Sequence, residues 1–159
     1  MRVALFVFVV AILIQYPATA VPRAQQPAPS ASVLDYEFFK TRVQPIFIAR
    51  RDGHTRCVSC HSKGTPMRFQ ELSPGATAWN EEQSRRNFQA VVARVVPHNL
   101  GQSKILVHPL LADGGGDFYH SGGKHWNSFL DPEWQTIANW VCGRKATEKL
   151  VELTGDCGE

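Results

Sequence analysis

The stretch Cys57-Val58-Ser59-Cys60-His61 limits this chain more than any other. Two thiols three positions apart, with an imidazole directly after the second, have few uses. A redox disulfide of this spacing calls for a thioredoxin-like βαβ setting. No such alternation of strand and helix patterns surrounds it. Half of a zinc site needs two further ligands, usually a second Cys-x-x-Cys or a pair of histidines. The other cysteines, Cys142 and Cys157, are too far apart in sequence to form that knuckle.

The third use accounts for all three residues, because C-x-x-C-H is the pattern of covalent haem attachment. The thiols add to the two vinyl groups of one porphyrin edge. Two intervening residues on a helical turn match the sulfur spacing to the vinyl spacing. The histidine that follows swings beneath the ring, and its Nε2 binds iron. Cys57 and Cys60 are therefore the expected attachment residues and His61 the expected proximal ligand. The expected cofactor is one covalently held haem c with its iron. Attachment keeps the haem in an exported protein and lets a small domain stay folded around a large apolar group.

The N-terminal residues agree with export. Arg2 is a minimal positive region, residues 3–14 are an apolar run too short to span a bilayer with ease, and Ala18-Thr19-Ala20 is a small-x-small cleavage pattern. Residues 1–20 read as a signal peptide, with an uncleaved anchor as the alternative, and the expected location is periplasmic or secreted. No stable membrane span is expected in the mature chain. Residues 21–32, rich in Pro, Ala and Gln, read as an extended linker. Residues 33–159 are left as one folded domain of ordinary size.

In that compartment Cys142 and Cys157 are expected to pair with each other and tie the C-terminal tail to the last helix. The chain has 17 Lys and Arg against 14 Asp and Glu, and loss of Arg2 leaves 16 against 14. That balance does not resemble the basic surface of a nucleic-acid binder. Arg50, Arg51 and Arg56 cluster before the first cysteine and read as a solvated patch. The sharper alternative is docking to an acidic partner or pairing with a carboxylate of the cofactor.

Apolar spacing predicts a mostly α fold of three to four helices with long loops. The first helix follows Asp35 as N-cap and buries Phe38, Phe39, Val43, Ile46 and Phe47, with Pro45 kinking or dividing it. The second starts at a capping box of Asn80 and Gln83 and buries Phe88, Val91, Val92 and Val95, with Pro97 as its stop. The third is capped by Asp131, opens on Pro132, closes at Gly143 and buries Trp134, Ile137, Ala138 and Val141. "TEKLVELTG", residues 147–155, is the expected short fourth helix. Residues 97–129, between the second and third helices, hold four of the six histidines and two glycine clusters. A connection this long inside a compact domain is usually functional. "GGGD" there neither follows a strand nor opens a helix, so its glycines serve a sharp turn or a close backbone approach.

The order of "FFKTRVQPIF", "CVSCH", "NFQAVV", "SKILVHPL", "HSGGK" and "LDPEWQTIANWVCG" resembles the class I cytochrome c fold, and more narrowly the planctomycete-type cytochrome c domains. The resemblance covers roughly Tyr36 to Gly143. It implies a cytochrome c-like domain that is a monohaem electron carrier, or a haem domain attached to a larger enzyme. Class I domains usually take their second axial ligand from a methionine before the last helix. This chain departs from that pattern. Its one mature methionine, Met67, lies six residues after His61.

The expected sixth ligand is His120, eleven residues before the N-cap Asp131 and matching the His-x-Gly-Gly pattern of the similar family. His125 is the runner-up, followed by His108 and Met67. His98 is a further candidate, and His54 precedes the motif on the proximal side. Three functions compete. The first is an exported carrier passing single electrons between redox partner proteins, not an enzyme. The second is a haem enzyme subunit or gas sensor with an open sixth position. The third is a non-haem, disulfide-stabilised binding module.

Overall fold

In a computed structural model of the chain, residues 33–158 are described. The expected signal peptide and linker lie outside them. The described residues form a small, mostly helical domain of five helices, three of them seven residues or longer, with no strand. None of these helices is long and apolar enough to cross a membrane.

Helix α1 covers residues 36–48 in three pieces: Tyr36–Phe38, a π turn over Phe39–Val43, and Gln44–Ile48. Asp35 caps it by accepting a hydrogen bond from the Phe38 N–H. Pro45 divides the segment in a specific way. Proline has no N–H to give to the preceding turn. The ladder widens just before it, so that the Gln44 N–H reaches the Phe39 carbonyl. Phe38, Phe39, Val43, Ile46 and Phe47 are all buried.

Cys57–His61 is α2, Glu81–Val92 is α3, Lys104–Val107 is α4 and Pro132–Val141 is α5. Helix α3 has the expected capping box in both directions between Asn80 and Gln83. It stops at Val92, before Pro97 is reached. The hydroxyl of Ser103 bonds both the N–H and the carbonyl of Val96 and holds that stretch out of helix. Val95 is nevertheless buried, on the turn that follows. Helix α5 starts with Asp131 accepting from the N–H groups of Glu133 and Trp134. It ends on Gly143 at φ 84°, with Gly143 N–H on Trp140 O and Arg144 N–H on Asn139 O. That pair of bonds is a Schellman motif, whose left-handed residue favours glycine.

Helices α1, α3 and α5 meet through their aromatic side chains. Phe39 lies 5.3 Å from Phe88 and 5.5 Å from Trp140, ring centre to ring centre. The Trp140 indole N–H donates to the Asp35 carbonyl, which locks the start of α1 onto α5. This packing frames the floor on which α2 and the long connection sit.

One expectation about helices is corrected. The short helix outside the main three and the Cys57–His61 turn is α4, within the long connection, and not residues 147–155. Residues 147 and 148 lie in a turn, and residues 149–153 run without helix beside α5. Asn139 exchanges hydrogen bonds with both the N–H and carbonyl of Val151, and Gln135 does the same with Leu153. Two buried amides thus satisfy the backbone that helix formation would otherwise have to satisfy. The expected disulfide Cys142–Cys157 is present and closes this tail. The GGGD turn is a close backbone approach within the chain: a side chain on Gly116 would meet the Leu110 carbonyl at 2.0 Å.

Candidate functional site

Helix α2 is a single turn held by Ser59 N–H on Arg56 O and Ser62 N–H on Val58 O. Val58 faces the core and is buried, Cys57 is half-buried and Cys60 is exposed. The apolar residue between the thiols thereby seats the turn. Both thiols are free. Burial pushes the Cys57 thiol up, and the Arg51 guanidinium beside it opposes that shift.

The ring of His61 is fixed by its own turn. Its Nδ1 lies 2.8 Å from the Met67 carbonyl and 2.9 Å from the Thr65 hydroxyl, which itself donates to that carbonyl. With Nδ1–H as donor to Met67, Nε2 carries no proton and no hydrogen bond. Burial lowers the proton affinity of His61, the Met67 bond opposes this, and nearby His120 adds to it. Both effects of position favour a neutral imidazole with a free Nε2, which is the ligating form.

His120 answers it from the long connection. Its Nδ1 is 2.6 Å from the Gly123 carbonyl, while the Gly123 N–H donates to the His120 carbonyl. The two rings are 17° from parallel and their centroids are 6.2 Å apart. Each histidine spends Nδ1 on a backbone carbonyl, the usual way a ligating imidazole is oriented. The rings are stacked, so this separation brings the two side chains together without by itself aiming their Nε2 atoms at one point.

Cys57, Cys60, His61 and His120 line one cavity of about 260 Å³, walled on its apolar side by Phe47, Ile105, Pro109 and Trp126. Arg56, Arg94 and Lys104 also line it, and no carboxylate does. The lining suits a largely apolar ligand with anionic groups. Among the described residues no three His, Cys, Asp or Glu side chains are placed to hold a metal ion between them. Two imidazoles with Nδ1 engaged each leave Nε2 to offer to an ion whose other positions are filled by a ring. The donor chemistry, two thiols and two imidazoles on one largely apolar cavity, is that which a haem would need.

The other candidates are sorted by their partners. His125 lines the same cavity and is buried, 6.0 Å from His120 and 5.2 Å from His54, ring to ring. Its Nδ1 is buried without a partner, and burial, with Arg51 next in effect, pushes it down to about 4. His108 reaches the cavity wall with its Nδ1 engaged by Asp117. Met67 lines the cavity and packs against the core. His98 packs against Gly143 at the end of α5 and does not line the cavity.

Sequence patterns did not reveal the network behind Cys57. Arg51, read as part of a solvated patch, has a side chain only 15% exposed and ion-pairs with Glu133 of α5. It also donates to the Ile46 carbonyl at 3.2 Å. The Trp126 indole N–H donates to the same Glu133 oxygen at 3.3 Å. No protein-family model, curated protein or solved structure matches the chain.

Proposed function

We propose that this chain is an exported c-type cytochrome that carries single electrons between redox partner proteins. Cys57 and Cys60 hold one haem through thioether bonds, and His61 and His120 are its axial ligands. The observation that supports the reading is that His61 and His120, with both thiols, line one cavity and lie ring to ring at 6.2 Å. A haem in that cavity supplies an iron that takes up and gives back one electron.

The protein's share is to hold the ligand set still. His61 is tied to Met67 within its own turn, and His120 to Gly123 within a turn closed at both ends. Each ring is thereby oriented before and after the electron moves. Phe47, Ile105 and Trp126 are buried, so that wall of the cavity is apolar. Two imidazoles lack the thioether that raises the potential of His/Met cytochromes, so the potential lies below theirs.

The test is the optical spectrum of the protein produced with a haem-attachment system. Low-spin ferrous bands unaffected by carbon monoxide support the carrier. A ready carbon monoxide adduct would move the reading to a gas-binding or enzymatic haem domain. Colourless folded protein would end both.

A further inference from the structure

The Thr65 hydroxyl touches both atoms that decide how His61 is held. It lies 2.6 Å from the Met67 carbonyl and 2.9 Å from His61 Nδ1, while Nδ1 is 2.8 Å from the same carbonyl. A hydroxyl brings one proton to this triangle, a neutral imidazole brings at most one at Nδ1, and a carbonyl brings none. Only one arrangement puts a proton into every contact. Thr65 O–H donates to the Met67 carbonyl, and the His61 Nδ1–H faces both that carbonyl and the Thr65 oxygen. Turning the hydroxyl proton onto a bare Nδ1 would leave Met67 O facing two lone pairs, those of Nδ1 and of Thr65 Oγ. The hydroxyl thus acts with the carbonyl to keep the proton on Nδ1 and leave Nε2 bare.

The segment is built to keep the hydroxyl there. Thr65 precedes Pro66, and a residue before proline is confined to extended backbone. The Arg94 guanidinium donates to the Pro66 carbonyl at 3.0 Å. Phe69 N–H donates to the His61 carbonyl at 2.8 Å, and the Phe69 ring is buried against Phe47, 4.7 Å between centres. Residues 61–69 therefore close on themselves, with Thr65 half-buried on the cavity wall. The carbonyl alone would orient the ring. What the hydroxyl adds is a second acceptor for the same N–H.

We propose that Thr65 is a positioning residue that acts through His61, sharing the Nδ1 proton with the Met67 carbonyl so that the imidazole becomes a stronger donor at Nε2. The proposal rests on the haem reading given above. A hydroxyl that is already donating accepts more strongly, because linked hydrogen bonds polarise one another. An acceptor on the outer N–H of a ligating histidine raises its basicity. A more basic ligand favours the oxidised iron, so the Thr65 hydroxyl lowers the potential.

The test uses holoprotein. In the ferrous wild type, whose low-spin iron is diamagnetic, proton NMR should show the Thr65 hydroxyl and His61 Nδ1 protons in slow exchange, with a cross-peak between them. A Thr65 hydroxyl in fast exchange with solvent overturns the proposal. Thr65→Val keeps the branched shape and removes the hydroxyl. It is expected to raise the midpoint potential and speed exchange of the Nδ1 proton several-fold. Thr65→Ser should return both to wild-type values. A haem-loaded Thr65→Val with the wild-type potential would make the hydroxyl a turn-former only, whatever its effect on stability, and would overturn the proposal while leaving the cytochrome reading intact. Should Thr65→Val load no haem, the wild-type cross-peak decides alone. A wild-type chain that takes up no haem overturns the cytochrome reading and this proposal with it.

Discussion

The planes of the His61 and His120 imidazoles lie 17° from parallel with 6.2 Å between their centres, and each ring is turned there by a backbone carbonyl on its Nδ1. The two residues come from opposite sides of the sequence, one from a helical turn and one from a glycine-flanked loop. His120→Ala is expected to keep its haem while opening the sixth position, so that the low-spin bands weaken and ferrous protein takes carbon monoxide. His120→Met should raise the potential. An alanine variant with the wild-type spectrum and potential would remove His120 from the ligand set. A sulfur-to-iron band near the red end of the wild-type ferric spectrum would point to Met67 instead.

Cys57 and Cys60 share the cavity lining, one half-buried and one exposed. Either Cys57→Ser or Cys60→Ser should leave haem held by at most one thioether and lower the holoprotein yield. Mass spectrometry of the haem peptide reads the number of links. Unchanged yield with two links would place attachment elsewhere.

Much of this arrangement was legible because its signals are local. The caps of α3 and α5 are written within three or four residues of each helix end, and the turn Cys57–His61 within five. The parts that were not legible depend on distant partners. Residues 147–155 have helix-like composition, but Asn139 and Gln135 capture their backbone from another element. Helix α4 is four residues long, too short to show a period. Arg51 meets Glu133 across 82 positions, so no spacing rule could join them.

That capture has a measurable consequence. Asn139 is fully buried and holds both backbone groups of Val151. Asn139→Ala would leave them unpaired against α5 and should cost about 2 kcal/mol in urea unfolding. The amide of Val151 should lose its protection from hydrogen exchange. Full protection in the variant would mean that the tail is held by something else.

At the start of α3, Glu81 accepts from Lys40 at 2.6 Å and from the Tyr36 hydroxyl at 3.1 Å, and it pairs with Arg85 at 2.7 Å. The Lys40 hydrogen bond, first among these, holds its carboxyl below the ordinary value of 4.5. A carboxylate depressed by folding stabilises the fold above its unfolded value, and this is lost as pH falls through the folded value. Glu81→Gln should therefore lower the unfolding midpoint slightly at pH 7, because the group is exposed. The gap from the wild type should close as pH falls below about 4.5. A gap that persists undiminished at pH 2 would assign the effect to packing and not to charge.

The disulfide Cys142–Cys157 and the amide clamp fasten the same tail by different means. The bridge spans 15 positions, and a loop of that size is worth about 3 kcal/mol, chiefly by restricting the unfolded chain. The clamp acts in the folded state, through Gln135 and Asn139, and Arg42 adds bonds to the carbonyls of Ala146 and Glu148. A paired Cys142→Ser, Cys157→Ser variant should accordingly unfold at lower urea, by about 3 kcal/mol, while the tail stays docked. The Val151 and Leu153 amides should remain more protected than those beyond the clamp, and the haem spectrum should not change. Loss of Leu153 protection under native conditions, matching that at Gly158, would show that the bridge and not the amides holds the tail on α5.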